Sequence, residues 1–457
     1  MKTIIIGSGL AGLTAGLRLA RAGQAVTILE QGPVAGGVTQ GYEQDGFRWD
    51  YGQLNLEAAG AHEPAGAVLA ELGVLERIEV IPEQREYIFP DFEIRPPIEY
   101  GGIKWRIEEL KRLFPAEAEG LERYWRDYVR FTRLMTRARR MEDGRLPSKV
   151  AFFGALLPLL PMKDWTAARL LAHYFRDMKL KAVFVSILAD FFTPPSQFQG
   201  LGVFMLNGEK AYERRMPSQL ARDAEMIGLY TIRGGTRALV EAYLAALAES
   251  GAELRLNATV ERIRVEVARV TGVSLADGTS LAAERVIASG GAKETFLKLL
   301  EPGDLSEEFK QKLAGLPLMD SVFMLHLGVD SSFPALHCSS TYFYGSYDIE
   351  GQVKLAREGV YHEGAAGFVV HWPSLRSPEM APAGMQALTI YTICPEKLKE
   401  GDWERDKEVY AEKLLGYAEK YLPGLRQSIR TQVIVSPLEL RKITHLEHHA
   451  FGGLAPV

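Results

Sequence analysis

Gly7, Gly9 and Gly12 stand in a G-x-G-x-x-G pattern, Gly7-Ser8-Gly9-Leu10-Ala11-Gly12, with Gly16 one helical turn further on. Glycines at this spacing let a backbone turn tightly and approach a pyrophosphate, whose charge rests on the unpaired N–H groups at a helix start. Glu30 follows Gly12 at the separation where a carboxylate accepts hydrogen bonds from an adenosine ribose. Gln31 adjoins it, and Gly36, Gly37 and Val38 follow, a second glycine pair that permits another close backbone approach.

These residues need a strand, a helix and a second strand to hold them. The sequence supplies an apolar strand at Thr3 to Ile6, an alanine- and leucine-rich helix to about Ala22, and a strand AVTILE that ends at Glu30. An ordinary glycine turn also carries a lone G-x-G-x-x-G. Here strand, helix and acid are all in register, which favours dinucleotide binding.

The remaining chain bounds what else is feasible. Its 457 residues, 47% hydrophobic, allow two or three substructures around large cores. A net charge of -5 and an isoelectric point near 6.1 give no global drive toward nucleic acid, so no nucleic-acid partner is expected. Two cysteines, Cys338 and Cys394, are too few for a disulfide framework or a thiolate metal site, and a cytoplasmic location fits. The first apolar run is short and broken by glycine, so it reads as a strand and not a signal peptide. No apolar segment approaches the roughly 18 residues that span a bilayer.

Strand and turn residues fill Tyr87 to Gly102, and IKWRIEELKRLF and AEGLERYWRDYVRFTRLM then show helical spacing. Arg130, Arg133, Arg137, Arg139, Arg140, Arg145 and Lys149 form a basic run before the apolar stretch Val150 to Met162, which Pro158 and Pro161 interrupt and Lys163 closes. Two readings stay open: a solvated face followed by a core helix, or a peripheral membrane patch that dips into the acyl boundary. KAVFVSILADFF runs on to Pro194-Pro195. After Gly228 the α/β pattern returns, strands including DSVFMLHLGVD and GMQALTIYTIC follow, and DWERDKEVYAEKLLGYAEKYL is a further helix.

The segment EQGPVAGGVTQGYEQDGFRWDYG, with Gly36-Gly37, Phe47, Asp50 and Gly52, resembles the flavin-binding amine oxidase superfamily, and more narrowly its phytoene desaturase and carotenoid isomerase family. IRGGTRALVEAYLAALAESGAELRLNATVERIRVEVARVTGVSLADGTSLAAERVIAS is similar to that family's second cofactor block, ending at Ser289, and PSLRSPEMAPAGMQALTIYTICP to a segment of its substrate-domain sheet. The resemblance implies an α/β protein: a Rossmann-type FAD-binding domain with a discontinuous mixed-sheet substrate domain and a helical, membrane-facing insertion. It divides the chain into an FAD-binding part (1–75), substrate-domain strands (76–100), the helical insertion (101–227), a second FAD-binding part (228–305), the substrate-domain sheet and helices (306–432) and a return toward the FAD domain (433–457).

On the same likeness FAD is the cofactor, held without a covalent bond since no cysteine lies in an attachment motif. Its expected contacts are Gly7, Ser8, Gly9, Leu10, Ala11, Gly12, Glu30, Gln31, Gly36, Gly37, Val38, Gly52, Val260 (whose backbone would meet the adenine) and Ser289. The implied substrate is an apolar isoprenoid of the carotenoid type, with desaturation, saturation and isomerisation all open. The alternatives are a flavin amine oxidase-like enzyme, or a non-catalytic isoprenoid carrier like the Rab escort and GDP-dissociation inhibitor proteins. Family members finish with a glycine-rich segment near the flavin pyrophosphate; this sequence stops at HHAFGGLAPV without one and is expected to be a fragment.

No catalytic acid or base is identifiable, and no metal site is expected. His445, His448 and His449, with Glu447, read as surface residues more readily than as ligands. His326, His362 and His371 lie in or near apolar strands and read as satisfied structural histidines.

Overall fold

The structure, a computed structural model, describes residues 2–52, 55–61, 63–97, 99, 101–140, 146–186, 193–208, 228–334, 336–446 and 453–454. The strand Lys2–Ile6 forms because its apolar run is buried on both faces, as parallel strands require. It is the third strand of a four-stranded parallel sheet in the order Glu253–Arg255, Ala25–Leu29, Lys2–Ile6, Arg285–Ala288. Two of its strands come from the first 30 residues and two from beyond residue 250, so the sheet is discontinuous in sequence.

The helix Leu10–Arg21 buries Gly12, Leu13, Gly16, Leu17 and Ala20, a face at helical spacing, and packs beside Thr236–Ser250 through Leu239, Val240, Tyr243 and Leu247. Gly16 is needed there, because a Cβ would lie 2.6 Å from Ile28 Cδ1. An antiparallel sheet of Val260–Glu266, Arg269–Leu275 and Ser280–Ala282 covers the opposite face of the parallel sheet, where Val260, Ile263 and Val273 pack on Ile4 and Leu29.

A second, mixed sheet has seven strands in the order Ile429–Val435, Ser321–Asp330, Met385–Cys394, Gly367–His371, Ser340–Tyr344, Arg85–Ile88, Glu93–Ile94. The expected boundary at 432–433 therefore falls inside a strand, and the chain leaves this sheet only after Val435. Alternation gives the sheet two faces. Phe323, Leu325, Leu327, Val370, Leu388 and Ile390 meet the helix Trp403–Glu419 through Trp403, Leu414 and Leu415. On the other face Tyr87, Tyr342, Tyr344 and Val369 join one core with the helices Trp105–Leu113, Ala118–Arg140, Ala167–Tyr174 and Met178–Val185. Those helices form a cap over the sheet.

The proline-interrupted stretch resolves into a helix Leu146–Leu156 and a 3-10 segment Leu157–Met162. Pro158 and Pro161 each remove a backbone donor, which ends regular α-helix at Leu156. Among the described residues no helix is long and apolar enough to cross a membrane.

Asp50 ties the early chain to the returning chain. Its Oδ1 accepts from Thr236 N at 2.6 Å and from Thr236 Oγ1 at 3.0 Å, at the start of Thr236–Ser250. Gly235, at φ +82°, leaves room for it: a Cβ would lie 2.6 Å from that oxygen. Burial pushes the Asp50 carboxyl up to about 6 from 3.8, against the pull of the two Thr236 bonds. Folding thus favours the neutral acid, a contribution complete below the unfolded carboxyl pKa and lost as pH rises through about 6. Asp50 alone should therefore lower the thermal midpoint as pH rises from 4 to 7, through a loss of at most roughly 3 kcal/mol of stability. His326, His362 and His371, held neutral by burial, pull the other way as pH falls below their unfolded value. Asp50→Asn, uncharged throughout, should shift the slope of midpoint against pH toward positive values relative to the parent, with Asp320, pushed up to about 6, and Glu396, pushed up to about 7, keeping their own falling contributions. An unchanged slope would exclude Asp50 as a contributor.

Candidate functional site

A cleft of about 370 Å³ opens at the carboxyl ends of the parallel strands, beyond Ile6, Leu29 and Ser289. This is the end at which open parallel sheets receive ligands. Of the residues expected from sequence, Gly7, Ser8, Gly9, Glu30, Gln31, Gly37, Val38, Val260 and Ser289 line it. The five segments that carry them meet only because the sheet draws strands both from the first 30 residues and from beyond residue 250.

Glu30 is clamped at the end of its strand. Its Oε2 accepts from Ser8 N at 2.9 Å and Ser8 Oγ at 2.6 Å, and its Oε1 from Gly32 N at 2.8 Å. Oε2 already accepts two bonds, whereas Oε1 keeps a further lone-pair direction for a ligand hydroxyl. Ser289 Oγ donates to the carbonyls of Ile6 and Gly7 at 2.9 and 3.1 Å, so its hydroxyl fastens the glycine turn while the residue borders the cleft.

The glycines divide by role. At Gly12 a Cβ would lie 2.0 Å from the Gly7 carbonyl oxygen, and Gly7 itself sits at φ +95°. These two are demanded by the fold. Gly9 caps the helix with φ −62° and ψ 171°, a conformation open to any residue, and a Cβ there would meet nothing within 4 Å. The space it leaves is the cleft's. No side chain caps this helix, so its leading N–H groups are available to an anion.

Five expected residues do not line the cleft. Leu10, Ala11 and Gly12 form the first helical turn. Gly36, at φ +117°, holds the second glycine pair against the first by donating from its N to Ser8 O at 3.1 Å. Gly52 is buried beyond the cleft, two residues from the Asp50 tie.

Several cleft residues escaped the sequence reading. Gly290 and Gly291 follow Ser289 directly, and a glycine pair at a strand end was a legible signal. Ala258, Lys298, Leu299, Ile443, Thr444 and Leu446 carry none. His445 is exposed, as expected, and also borders the cleft, because a capping box closes the start of Pro437–Thr444 and His445 itself, an αL residue at φ +53°, closes its end. In the box Ser436 Oγ accepts from Leu438 N, and Glu439 Oε2 accepts from Ser436 N. Glu447, His448 and His449 lie outside the described residues, among which no cluster of three potential metal ligands occurs.

The strand histidines are half satisfied. His326 Nδ1 pairs with Thr389 Oγ1 at 2.8 Å and His371 Nδ1 with Ser340 Oγ at 3.0 Å, while both Nε2 atoms are buried without a partner. His362 Nε2 pairs with Thr392 Oγ1 at 3.1 Å. Burial pushes His326 down to about 3 and His362 and His371 to about 4, so all three are neutral near pH 7. His326 stacks against Trp49 and Tyr42 and meets the edge of Tyr51.

The basic run is partly absorbed by the fold. Arg130 pairs with Asp127 at 2.6 Å and Arg137 donates to Ala151 O at 3.1 Å, leaving Arg133 and Lys149 exposed; Arg145 and the side chains of Arg139 and Arg140 lie outside the description.

Comparison with known proteins agrees with this geometry. Residues 10–436 match the family described as flavin containing amine oxidoreductase. The match begins at Leu10, so Gly7 and Gly9 rest on the cleft itself. The chain is 26% identical over 471 aligned positions to a chloroplastic prolycopene isomerase of Daucus carota, covering 99% of this chain and 71% of that protein. It is 25% identical to a lycopene-forming phytoene desaturase of Pantoea ananas, covering 100% and 89%. A solved structure from Pyrococcus furiosus shares the fold at TM-score 0.64 and 16% identity, covering 95% of this chain and 88% of that one.

The two glycine roles separate experimentally. Gly12→Ala should lower the unfolding free energy of the apoprotein by roughly 1–3 kcal/mol, as overpacking against rigid backbone does. Gly9→Ala should change it by less than about 1 kcal/mol. Equal losses in urea titrations would refute the division.

Proposed function

The chain belongs to the flavin containing amine oxidoreductase family, and from that premise we propose that it oxidises, reduces or isomerises an apolar isoprenoid polyene of the carotenoid type. It is an FAD-dependent oxidoreductase. One observation carries the substrate reading. The similarity to a prolycopene isomerase and a phytoene desaturase runs over essentially the whole chain, so it includes the helical cap and its sheet and not the cofactor fold alone.

The cleft fits the cofactor. In this reading the helix start at Gly9, Leu10, Ala11 and Gly12, with Gly7, Ser8 and Gly37, takes the pyrophosphate; Glu30 takes the ribose, with Gln31 beside it, and Val260 the adenine. Gly36, Val38, Gly52 and Ser289 support that path. Bound FAD supplies hydride exchange with a substrate carbon. The protein's own task is to aim the chain and exclude water, and the Tyr87, Tyr342, Tyr344 and Val369 face under an aromatic cap suits a hydrocarbon.

The cap also supports a peripheral membrane reading, at the cytoplasmic surface. Leu146, Val150, Phe153 and Leu157 are 73%, 64%, 58% and 64% exposed, and their spacing puts them on one stripe. Exposed Arg133, Lys149 and Lys163 accompany it. Lipid attachment would combine apolar burial with about 1 kcal/mol for each cation near anionic headgroups. Phe152 and Leu156 face the cap's core instead.

The purified protein should show a flavin spectrum and yield a polyene on solvent extraction. Gly9→Val should keep its fold and lose flavin on gel filtration; full retention of flavin would place the cofactor elsewhere, and a flavin-free parent carrying lipid would favour a carrier.

In cosedimentation the parent should bind anionic liposomes, less strongly at high salt. Changing Leu146, Val150, Phe153 and Leu157 to serine should abolish binding. Equal sedimentation of the two proteins, or none by the parent, would refute membrane docking.

A further inference from the structure

Arg85 lies in the strand next to the edge of the seven-stranded sheet and is 6% exposed. A guanidinium stays charged in any folded protein and carries five donors. Among the described residues it makes no hydrogen bond and no ion pair within 4.0 Å, and its Nε is fully buried. What holds it is the ring of Tyr342, over which the guanidinium carbon lies 5.2 Å from the centroid.

The neighbouring acids do not close this site. Glu83 is buried and attracted to Arg85 through space without forming an ion pair with it, and burial pushes its carboxyl up toward the neutral form. Glu86 lies on the opposite face, where Thr341 Oγ1 donates to it at 2.7 Å beside Arg95. His371, one strand beyond Ser340, presents a buried Nε2 without a partner. An unmatched buried charge is costly, and a fold keeps it where a ligand supplies the acceptor.

We propose that Arg85, with His371 beside it, binds a carboxylate at one end of an otherwise apolar chain, so that the substrate is an isoprenoid or acyl acid and not an unsubstituted hydrocarbon. The proposal rests on the apolar-chain reading above and narrows it. The planar guanidinium matches a carboxylate in two parallel bonds. A phosphate ester is disfavoured, because it brings a second negative charge for which neutral His371 supplies no counter-charge.

Register gives the direction of the chain. His326, Thr389, His371, Ser340 and Arg85 lie in one row across five strands. Four strand spacings put Arg85 roughly 19 Å from His326. His326 is the end that meets Tyr42, Trp49 and Tyr51 of the segment following the second glycine pair. The acid end is held far from that segment, and the tail runs along Tyr342 and Tyr391 toward it.

Tryptophan quenching with the FAD-loaded full chain tests this, using retinoic acid, its methyl ester and retinol as probes. The parent should bind the acid at least about tenfold more tightly than ester or alcohol, and Arg85→Gln should bring all three within about twofold. Arg85→Lys should keep part of the preference. Equal binding of acid and ester by the parent, a comparison that needs no variant, would overturn the carboxylate site alone, as would an undiminished preference in flavin-loaded Arg85→Gln. Failure of all three probes to bind would overturn the apolar-chain reading with it.

Discussion

Nothing larger than hydrogen fits at position 12, and the cofactor side of the molecule follows from that constraint. With the Gly7 carbonyl set against Gly12 Cα, the first strand passes into its helix through a turn of three residues, Gly7, Ser8 and Gly9. Ser289, 282 residues further along the chain, locks the same carbonyl. The turn therefore joins three elements, and its fastening leaves the helix start facing open space. A larger residue at 12 would move the helix, and with it the face that packs on Thr236–Ser250.

The substrate side depends on a different rule, the alternation of side chains across a strand. One face of the seven-stranded sheet is aliphatic and phenylalanine-rich and seals against a single helix. The other carries tyrosines, histidines, a threonine and Arg85, and meets the cap. A face of that composition is a poor choice for stability alone, because every buried polar atom needs a partner. Thr389 and Ser340 satisfy one nitrogen of each histidine, and the remaining nitrogens and the guanidinium stay available.

Legibility in the sequence followed locality. The strand, helix and Glu30 were readable because their signals fall within 30 contiguous residues, and the long helices because their apolar spacing repeats over several turns. Val260 and Ser289 were reached only through resemblance, since nothing in their own neighbourhood points to a cleft. That Gly12 serves the fold and Gly9 the cleft could not be read, as both are glycines of one motif and only the surroundings of their missing Cβ atoms differ. Arg85 stood unnoticed because register with Ser340, more than 250 residues away, decides what it faces. That exposed His445 borders the cleft needed the helix end that places it there.

The apolar stretch at 150–162 shows why periodicity alone left two readings. Along Leu146–Leu156 and the segment after it, Phe152, Ala155, Leu156, Leu159 and Met162 point into the cap's core, while Val150, Phe153 and Leu157 point out. A helix apolar on both sides has no contrast for periodicity to detect. Core and surface patch are two sides of one element, not competing descriptions of it. On the proposed membrane reading this has a mechanical consequence. The side chains that would enter lipid stand back to back with those that join the cap's core, where this helix packs on Ala118–Arg140, so it would form the cap's outer wall between bilayer and core. An apolar chain could then pass between them through contacts that are apolar throughout, with no step that exposes it to water.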